Sequence, residues 1–243
     1  MTKMLAALAL LASCASALAT PVQFGNVSYT TTAFASAGAT FDGPRTDDFP
    51  TSALPLLTSA TASSATDTAN ATAIADQQFL ATTADASSAT DPAGAGAFAT
   101  FTGSFVPSGD RPHFTLNFDS QSSGPGSAAN QLEFILVADG VTVFDEIFFN
   151  SVAIDRDFTL PAGILATLDL TLSSTADALL NDAFSLSSVD FSLSVPEPST
   201  AFLLLAGAMA LAFFRAREST LVRLAAASHS EPAVLASDSM RST

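Results

Sequence analysis

Apolar and polar residues alternate with a period of two in three stretches of the C-terminal half of this chain. The stretches are Phe114–Phe118, Leu168–Leu172 and Val189–Leu193. Because successive side chains of a strand point to opposite faces of a sheet, this period predicts strands with one face buried and the other in water. A helix would require a period near 3.6 residues, which these stretches lack.

Two further apolar runs, Leu132–Ala138 and Val141–Phe149, are separated only by Asp139 and Gly140. A two-residue Asp-Gly loop between apolar runs favours a tight β-hairpin. Short strands separated by turn residues, with hardly any helical pattern, indicate an all-β protein. We expect a β-sandwich of jelly-roll or immunoglobulin-like type.

The segment Thr58–Ala97 consists mainly of Ala, Ser, Thr and Asp. It contains too few large apolar residues to bury a core of its own. We expect a solvated pair of strands, a long surface loop or a short helix over Ala73–Leu80. The hexapeptide Ala-Ser-Ser-Ala-Thr-Asp occurs twice, at Ala62–Asp67 and Ala86–Asp91. We attribute this repetition to composition rather than to a structural unit.

The N-terminus is typical of a secretory signal peptide, in which a lysine precedes a short apolar run. Ala17 and Ala19 then form an A-x-A cleavage site, which predicts a mature chain that begins at Thr20. Cys14, the only cysteine of the chain, also lies in a lipobox-like sequence. Acylation of Cys14 therefore stays open as an alternative.

Near the C-terminus a Pro-Glu-Pro tripeptide, an apolar run and a basic cluster follow one another. The prolines mark a break between the preceding domain and the apolar run. The run of 14 residues covers about 21 Å as a helix, which is short for a bilayer core of about 30 Å. By the positive-inside rule the basic end is cytoplasmic and the main body lies outside. The recognition motif is Pro196, Glu197 and Pro198. The membrane segment is the run Ala201–Phe214, with Ala201, Phe202, Leu203, Leu204, Leu205, Phe213 and Phe214 as its assigned residues. The basic stop is Arg215 and Arg217.

This order of parts resembles the PEP-CTERM sorting signal of exported bacterial proteins. The resemblance covers about Val195–Arg217 and implies that exosortase, an integral-membrane cysteine protease, recognises the motif and removes the tail. It further implies an inner-membrane intermediate and delivery to the cell surface or to the extracellular polymeric matrix. Members of the family usually end within a few residues of the basic cluster, whereas Glu218–Thr243 follows it here.

The chain accordingly divides into a signal peptide (1–19), an exported domain (20–194), a sorting and anchor segment (195–217) and a short polar tail (218–243). The exported domain has three Arg against 19 Asp and Glu, a net charge of −16, and it has no cysteine. That composition excludes disulfides and thiolate metal sites. An acidic surface also repels nucleic acid, so we expect no nucleic-acid partner.

His113 is the one histidine of the exported domain, so neither a histidine zinc site nor a Ser-His-Asp triad is indicated. Four carboxylates, in the pairs Asp145 with Glu146 and Asp155 with Asp157, are weak candidates for binding calcium or sugar through oxygen. We therefore expect no catalytic residues and no cofactor, with calcium as the one exception left open.

These observations predict an exported structural or adhesive protein of a Gram-negative envelope or extracellular polysaccharide matrix. Its expected partners are an exosortase-type processing protease, the membrane through the C-terminal segment, and extracellular polysaccharide. A calcium-dependent, lectin-like carbohydrate-binding module is the alternative. A secreted hydrolase is a second alternative.

Overall fold

The computed structural model describes residues 19–107 and 111–196, and within these ranges the chain forms 13 strands and no helix. The strands are β1 (Ala19–Pro21), β2 (Gly25–Ala37), β3 (Thr40–Phe49), β4 (Leu56–Ser63), β5 (Thr68–Asp76), β6 (Phe79–Ser87), β7 (Ala93–Phe105), β8 (His113–Ser123), β9 (Ser127–Ala138), β10 (Val141–Phe148), β11 (Val152–Asp157), β12 (Ala166–Ala178) and β13 (Asp182–Pro196).

The strands form two antiparallel sheets packed face to face as a sandwich. Sheet A has the order β11-β8-β13-β6-β5-β4, and β1 pairs with the end of β13. Sheet B has the order β10-β9-β12-β7-β2-β3. This arrangement confirms the predicted all-β, sandwich-like class. The hydrophobic helix predicted after residue 200 lies outside the described residues.

The strands and the hairpin predicted from the C-terminal half are confirmed. The three alternating stretches lie within β8, β12 and β13, and their apolar residues face the core. Asp139 and Gly140 form the turn between β9 and β10, with φ angles of 52° and 74°. Two-residue hairpin turns require such left-handed values at both positions, which explains the Asp-Gly sequence.

For the alanine-rich segment Thr58–Ala97 the expected strands are confirmed, although they are not merely solvated, whereas the long loop and the short helix over Ala73–Leu80 are wrong. The segment forms β4, β5, β6 and the start of β7, and a turn at residues 77–78 divides the stretch expected to be helical. Alanines at alternate positions, such as Ala69, Ala71 and Ala73, point inward and are buried. The alternation of buried and exposed residues with a period of two was therefore present in the sequence of this segment. It was not interpreted as strands because alanine is depleted in strands and the prediction relied on large apolar residues.

The core between the sheets has two sections that differ in side-chain size. One section is built mainly from Phe and Leu, whereas every buried residue of the other is alanine. The same strands supply both sections: β2 runs from Tyr29 to Ala37, and β6 runs from Leu80 to Ala86. Stacked sheets usually lie about 10 Å apart. Cα atoms of β2 and β5, in opposite sheets, come within 8 Å of each other, a close approach that alanine side chains permit.

Buried hydroxyl groups separate the two core sections. The Thr82 hydroxyl in β6 lies 2.8 Å from the hydroxyls of Ser174 in β12 and Ser187 in β13. Thr31 and Thr58 form a second buried pair at 2.6 Å. No buried side-chain nitrogen or oxygen among the described residues lacks a hydrogen-bond partner. The layer thus avoids the cost of about 1–3 kcal/mol that an unpaired buried polar group carries.

The two copies of the repeated hexapeptide meet in adjacent turns at the alanine end of the sandwich. Asp67, the last residue of the first copy, is fully buried. Its Oδ1 accepts hydrogen bonds from the backbone N–H groups of Ala89 and Thr90 in the second copy, at 2.8 and 2.9 Å. The hydroxyls of Thr66 and Thr90 lie 2.7 Å apart. The repeat is therefore a pair of matched turns, contrary to our attribution to composition.

Asp67 is expected to make the stability of the fold depend on pH. Hydrogen bonds, first from the Thr90 N–H and then from the Ser64 hydroxyl, outweigh desolvation and hold the Asp67 pKa well below its usual 3.8. A depressed pKa in the folded state stabilises the fold above the unfolded-state value and ceases to do so as pH falls through the folded-state value. We expect Asp67→Asn to lower the free energy of unfolding at pH 7. In urea unfolding below about pH 4, the difference from the wild type should shrink.

Asp91→Asn is the matched control, because Asp91 holds the same position in the second copy and is exposed. Its carboxylate accepts no hydrogen bond from the described part of the chain, so the variant should follow the wild-type curve. A constant difference between Asp67→Asn and wild type from pH 7 to pH 2 would contradict the assigned role of Asp67.

Candidate functional site

Two glutamines, Gln77 and Gln78, form the turn between β5 and β6 at the end of the sandwich with large core residues. Gln78 has a φ of 59°, in the left-handed region that residues other than Gly, Asn and Asp seldom adopt. The Gln78 N–H donates to the Tyr29 hydroxyl in sheet B at 3.4 Å. The Phe191 N–H in sheet A donates to the Gln78 carbonyl at 3.1 Å. Both sheets therefore hold this turn in place.

The Tyr29 hydroxyl beneath the turn is a neutral group at physiological pH. Burial is the main cause that raises the Tyr29 pKa above its usual 10.0, and the nearby Asp76 carboxylate raises it further. The hydrogen bond from the Gln78 N–H acts in the opposite direction and is outweighed. Tyr29 thus supports the turn as an uncharged hydrogen-bond acceptor.

A cleft of about 540 Å³, which we call the polar cleft because seven of its eleven lining residues are polar, lies beside the turn on the outer face of sheet A. Strands β8, β11 and β13 form its floor, and Gln77 and Gln78 form one wall. The strand register places these strands' outward side chains next to one another in two successive rows. The polar side chains of these rows belong to Asn117, Thr115, Asp155, Asp190 and Ser192.

Part of this cleft is fixed by hydrogen bonds between its own side chains. The Thr115 and Ser192 hydroxyls lie 2.7 Å apart. At the rim the imidazole of His113 bridges two carboxylates of β11: Nε2 lies 3.0 Å from Asp155 Oδ1, and Nδ1 lies 2.8 Å from Asp157 Oδ1. The Nδ1 contact with Asp157 is a hydrogen bond, and the Nε2 contact with Asp155 becomes an ion pair when the imidazole is protonated.

A second cavity of about 580 Å³, which we call the apolar cavity because seven of its ten lining residues are apolar or aromatic, opens on the other side of the same turn. Its lining includes half-buried side chains from the N-terminal segment and from the β3–β4 connection, together with the ring of Phe101. Phe24 packs edge-on against Phe101 with ring centroids 5.2 Å apart. Gln77 and Gln78 line both this cavity and the polar cleft, so the two concavities meet at the turn.

The four carboxylates predicted from the sequence lie on different sheets. Asp145 and Glu146 belong to β10 at the edge of sheet B, whereas Asp155 and Asp157 belong to β11 at the edge of sheet A. The short connection between these strands crosses from one sheet to the other, which separates pairs that are close in sequence. Within residues 19–107 and 111–196, no three His, Cys, Asp or Glu side chains are arranged to hold a metal ion.

Only two of the predicted targeting residues belong to the described part of the chain. Ala19 is the first residue of β1 and Pro196 is the last of β13, and the two pair in one antiparallel ladder. Ala17 and Cys14 lie outside the described residues, as do Glu197 and all residues after it. Among the described residues, no helix has the length and apolar character needed to cross a membrane.

Sequence reasoning did not identify the Gln77–Gln78 turn or the cleft beside it. Asn117, Asp190 and Gln77 are far apart in sequence and belong to no motif. The available signal was weak: a polar pair between two strands, at a position where Gly or Asn is more usual. The cleft exists because β8, β11 and β13 become neighbours only in the folded sheet.

Comparison with known proteins does not place the chain in a family. No family model matches it, and no curated protein resembles it significantly. One solved structure with a partial match is a family 31 α-xylosidase from Xanthomonas citri, with 8% sequence identity and a TM-score of 0.09. The match covers 59% of this chain and 33% of the xylosidase, so the chain spans about a third of that protein. A TM-score this low carries no structural or functional inference.

Proposed function

We propose that this protein is an exported structural or adhesive component of a Gram-negative cell surface or extracellular polysaccharide matrix, sorted by its PEP-CTERM-like segment. On this proposal exosortase cuts near the Pro-Glu-Pro motif, and the mature protein acts without enzymatic activity. The jelly-roll or immunoglobulin-like type of the sandwich and the C-terminal helix stay predictions.

The observation that carries the proposal is that the two ends of the described sandwich lie side by side. Ala19, at the predicted signal-peptide boundary, pairs with Pro196, the first residue of the sorting motif. The two terminal strands pair directly, with Thr20 opposite Val195. Because the two ends of the domain are adjacent, the predicted signal peptide and the predicted sorting segment are both joined to the same side of the sandwich. This arrangement suits export followed by attachment or release at that side.

The surface chemistry of the domain also supports a role outside the cell. The net charge of −16 keeps copies of the domain apart and soluble, and it disfavours nucleic acid. Both ring nitrogens of His113 lie within 3.0 Å of carboxylates, those of Asp155 and Asp157, and neither forms a hydrogen bond with a hydroxyl or thiol of the described residues that it could activate. We do not carry the calcium-dependent module forward, because its four carboxylates are divided between the two sheets.

Intact mass of the protein recovered from cells and from the culture medium tests this proposal. We expect a species that begins at Thr20 and ends between Pro196 and Ser199 in the medium or the matrix fraction. Such a mass would also show that the residues from Glu218 to Thr243 had been removed. A full-length C-terminus in the membrane fraction would instead indicate a permanent anchor and contradict the proposed sorting.

A paired variant makes this test specific. Substitution of both Glu197 and Pro198 by Ala removes most of the motif but leaves β13 unchanged, so the tail should be retained. Ser199→Ala, just after the motif, is the control and should be processed like the wild type. Equal processing of the two variants would show that a protease with another specificity trims the C-terminus.

A further inference from the structure

We propose that the cleft beside the Gln77–Gln78 turn binds a neutral saccharide chain without a metal ion. Amide and carboxylate side chains of the cleft would bond to sugar hydroxyls, and the adjoining apolar cavity would receive the less polar face of a sugar ring. This proposal concerns a ligand site, and it is independent of how the protein is sorted.

The dimensions of the site suit a small organic ligand or a short stretch of a chain. Ligand pockets in proteins usually have volumes of about 300–1,000 Å³. The cleft and the apolar cavity, at about 540 and 580 Å³, each fall within that range. Since Gln77 and Gln78 line both, a ligand of several units can contact the two concavities on either side of one turn.

Three polar side chains of the cleft lack partners within the described part of the chain. Asn117 and Asp190 stand next to each other on β8 and β13, and Gln77 stands on the wall beside them. All three are exposed, and none forms a side-chain hydrogen bond with another described residue. Amides both donate and accept, and a carboxylate accepts two hydrogen bonds. This combination matches adjacent sugar hydroxyls, each of which donates and accepts.

Charge in the cleft argues for a neutral ligand. Asp155 and Asp190 line it, and no Lys or Arg belongs to its lining. Phosphate groups and uronic acids would meet negative charge without a compensating cation. Asp155 is already paired with His113, which leaves Asp190 as the unpaired carboxylate that faces the ligand.

The geometry of the site is set before any ligand arrives. The Thr115–Ser192 hydroxyl pair and the His113–Asp155 pair fix side chains on its floor and rim. The strained backbone of Gln78 is held by hydrogen bonds from both sheets. Backbone strain of this kind clusters at ligand sites, because surrounding structure must maintain it. A fixed site loses less entropy when it binds.

The apolar cavity adds half-buried aromatic side chains on which a sugar ring can pack. Phe24 and Phe49, both half-buried, line it beside Gln78. The C–H groups of a sugar ring have an apolar face that packs on such side chains, while its hydroxyls remain available to the glutamine amides.

Affinity electrophoresis of the full chain tests the site, with soluble neutral polysaccharides as probes. The gels would contain hydroxyethylcellulose, xyloglucan, galactomannan or mixed-linkage β-glucan. Titration calorimetry with oligosaccharides of the retarding polymer then gives the affinity. We expect retardation by at least one polymer, with and without EDTA, and little change when salt is raised.

Matched variants tie binding to the cleft. Asn117→Ala and Asp190→Ala should each weaken binding about tenfold or more. Asn70→Ala and Asp85→Ala are their controls, since both are exposed on the outer face of sheet A away from the cleft, and both should bind as the wild type does. Gln78→Gly should also weaken binding while the melting temperature stays the same or rises, because glycine accepts a φ of 59° without strain.

Each other outcome would overturn the proposal in a recognisable way. No retardation by any of the four polymers would reject neutral saccharide as the ligand. Retardation lost in EDTA would show that the site requires a metal ion. Retardation abolished by salt, or captured by a cationic polymer instead, would show that Asp190 attracts positive charge. None of these results depends on the C-terminal mass, so the sorting proposal is tested separately.

Discussion

Substitution of Ala71 by Leu is expected to lower the free energy of unfolding of the sandwich more than any other single substitution that we propose. Ala71 lies at the centre of β5 with 1% of its surface exposed. Within sheet A its neighbours are Ala60 and Ala84, and the facing sheet also presents alanine. Three additional carbon atoms have no space where the sheets approach so closely. Overpacking usually costs about 1–3 kcal/mol and occasionally more, and we expect at least about 3 kcal/mol here.

Urea unfolding followed by circular dichroism measures this effect. Asn70→Leu is the control, because the neighbouring residue points outward from the same strand and is exposed. It adds a similar apolar side chain without entering the core, so its free energy of unfolding should change by less than about 0.5 kcal/mol. An Ala71→Leu variant that unfolds at the wild-type urea midpoint would show that the sheets can separate to admit the larger residue.

Substitution of Phe134 by Ala is expected to have the second largest effect, at the opposite end of the core. Phe134 is fully buried in β9, and its ring centroid lies 4.7 Å from those of Phe114 and Phe144. The Arg156 guanidinium covers this aromatic cluster at the open edge, 5.0 Å from the Phe144 ring. Removing the central ring leaves a cavity between both sheets. Such substitutions cost about 3–5 kcal/mol.

Two other substitutions bracket the Phe134 result. Phe134→Leu keeps most of the apolar volume and should cost clearly less than the alanine variant. Phe41→Ala removes a ring that is 61% exposed, and we expect a change within about 0.5 kcal/mol. Equal unfolding free energies for Phe134→Ala and Phe41→Ala would mean that the aromatic cluster does not support the fold.

The section of the core built from Phe and Leu could be predicted from the sequence, whereas the alanine section could not. Strands such as β12, in which Leu alternates with polar residues, were predictable. Burial of large side chains is strongly favourable, so the conformation that places all the leucines on one buried face is preferred over one that leaves them exposed. The hairpin at Asp139–Gly140 was predictable because few sequences tolerate two left-handed residues in a row. Strand β5 was not, because an alanine alternation also suits a helix or a solvated loop. Its strand state depends on facing alanines in sheet B.

The site was less accessible than the fold. Asp145, Glu146, Asp155 and Asp157 were grouped because they are close in sequence, yet the chain crosses between the sheets at residues 149–151. Conversely, Asn117 and Asp190 are neighbours only through the pairing of β8 with β13. A local pattern reports which face of a strand a residue occupies, but not which strands lie beside it.

The sequence by itself determined the all-β class, the buried and exposed faces of the alternating strands and the hairpin at Asp139. It also determined the acidic charge of residues 20–194. These properties depend on residue type and on spacing along the chain, which local physics can interpret. Only the tertiary structure decided that alanine strands form one of the two core sections, that Asp67 joins two turns, and that Gln77, Asn117 and Asp190 surround one cleft. Those properties depend on contacts between segments distant in sequence, and such contacts exist only after the two sheets have formed and packed.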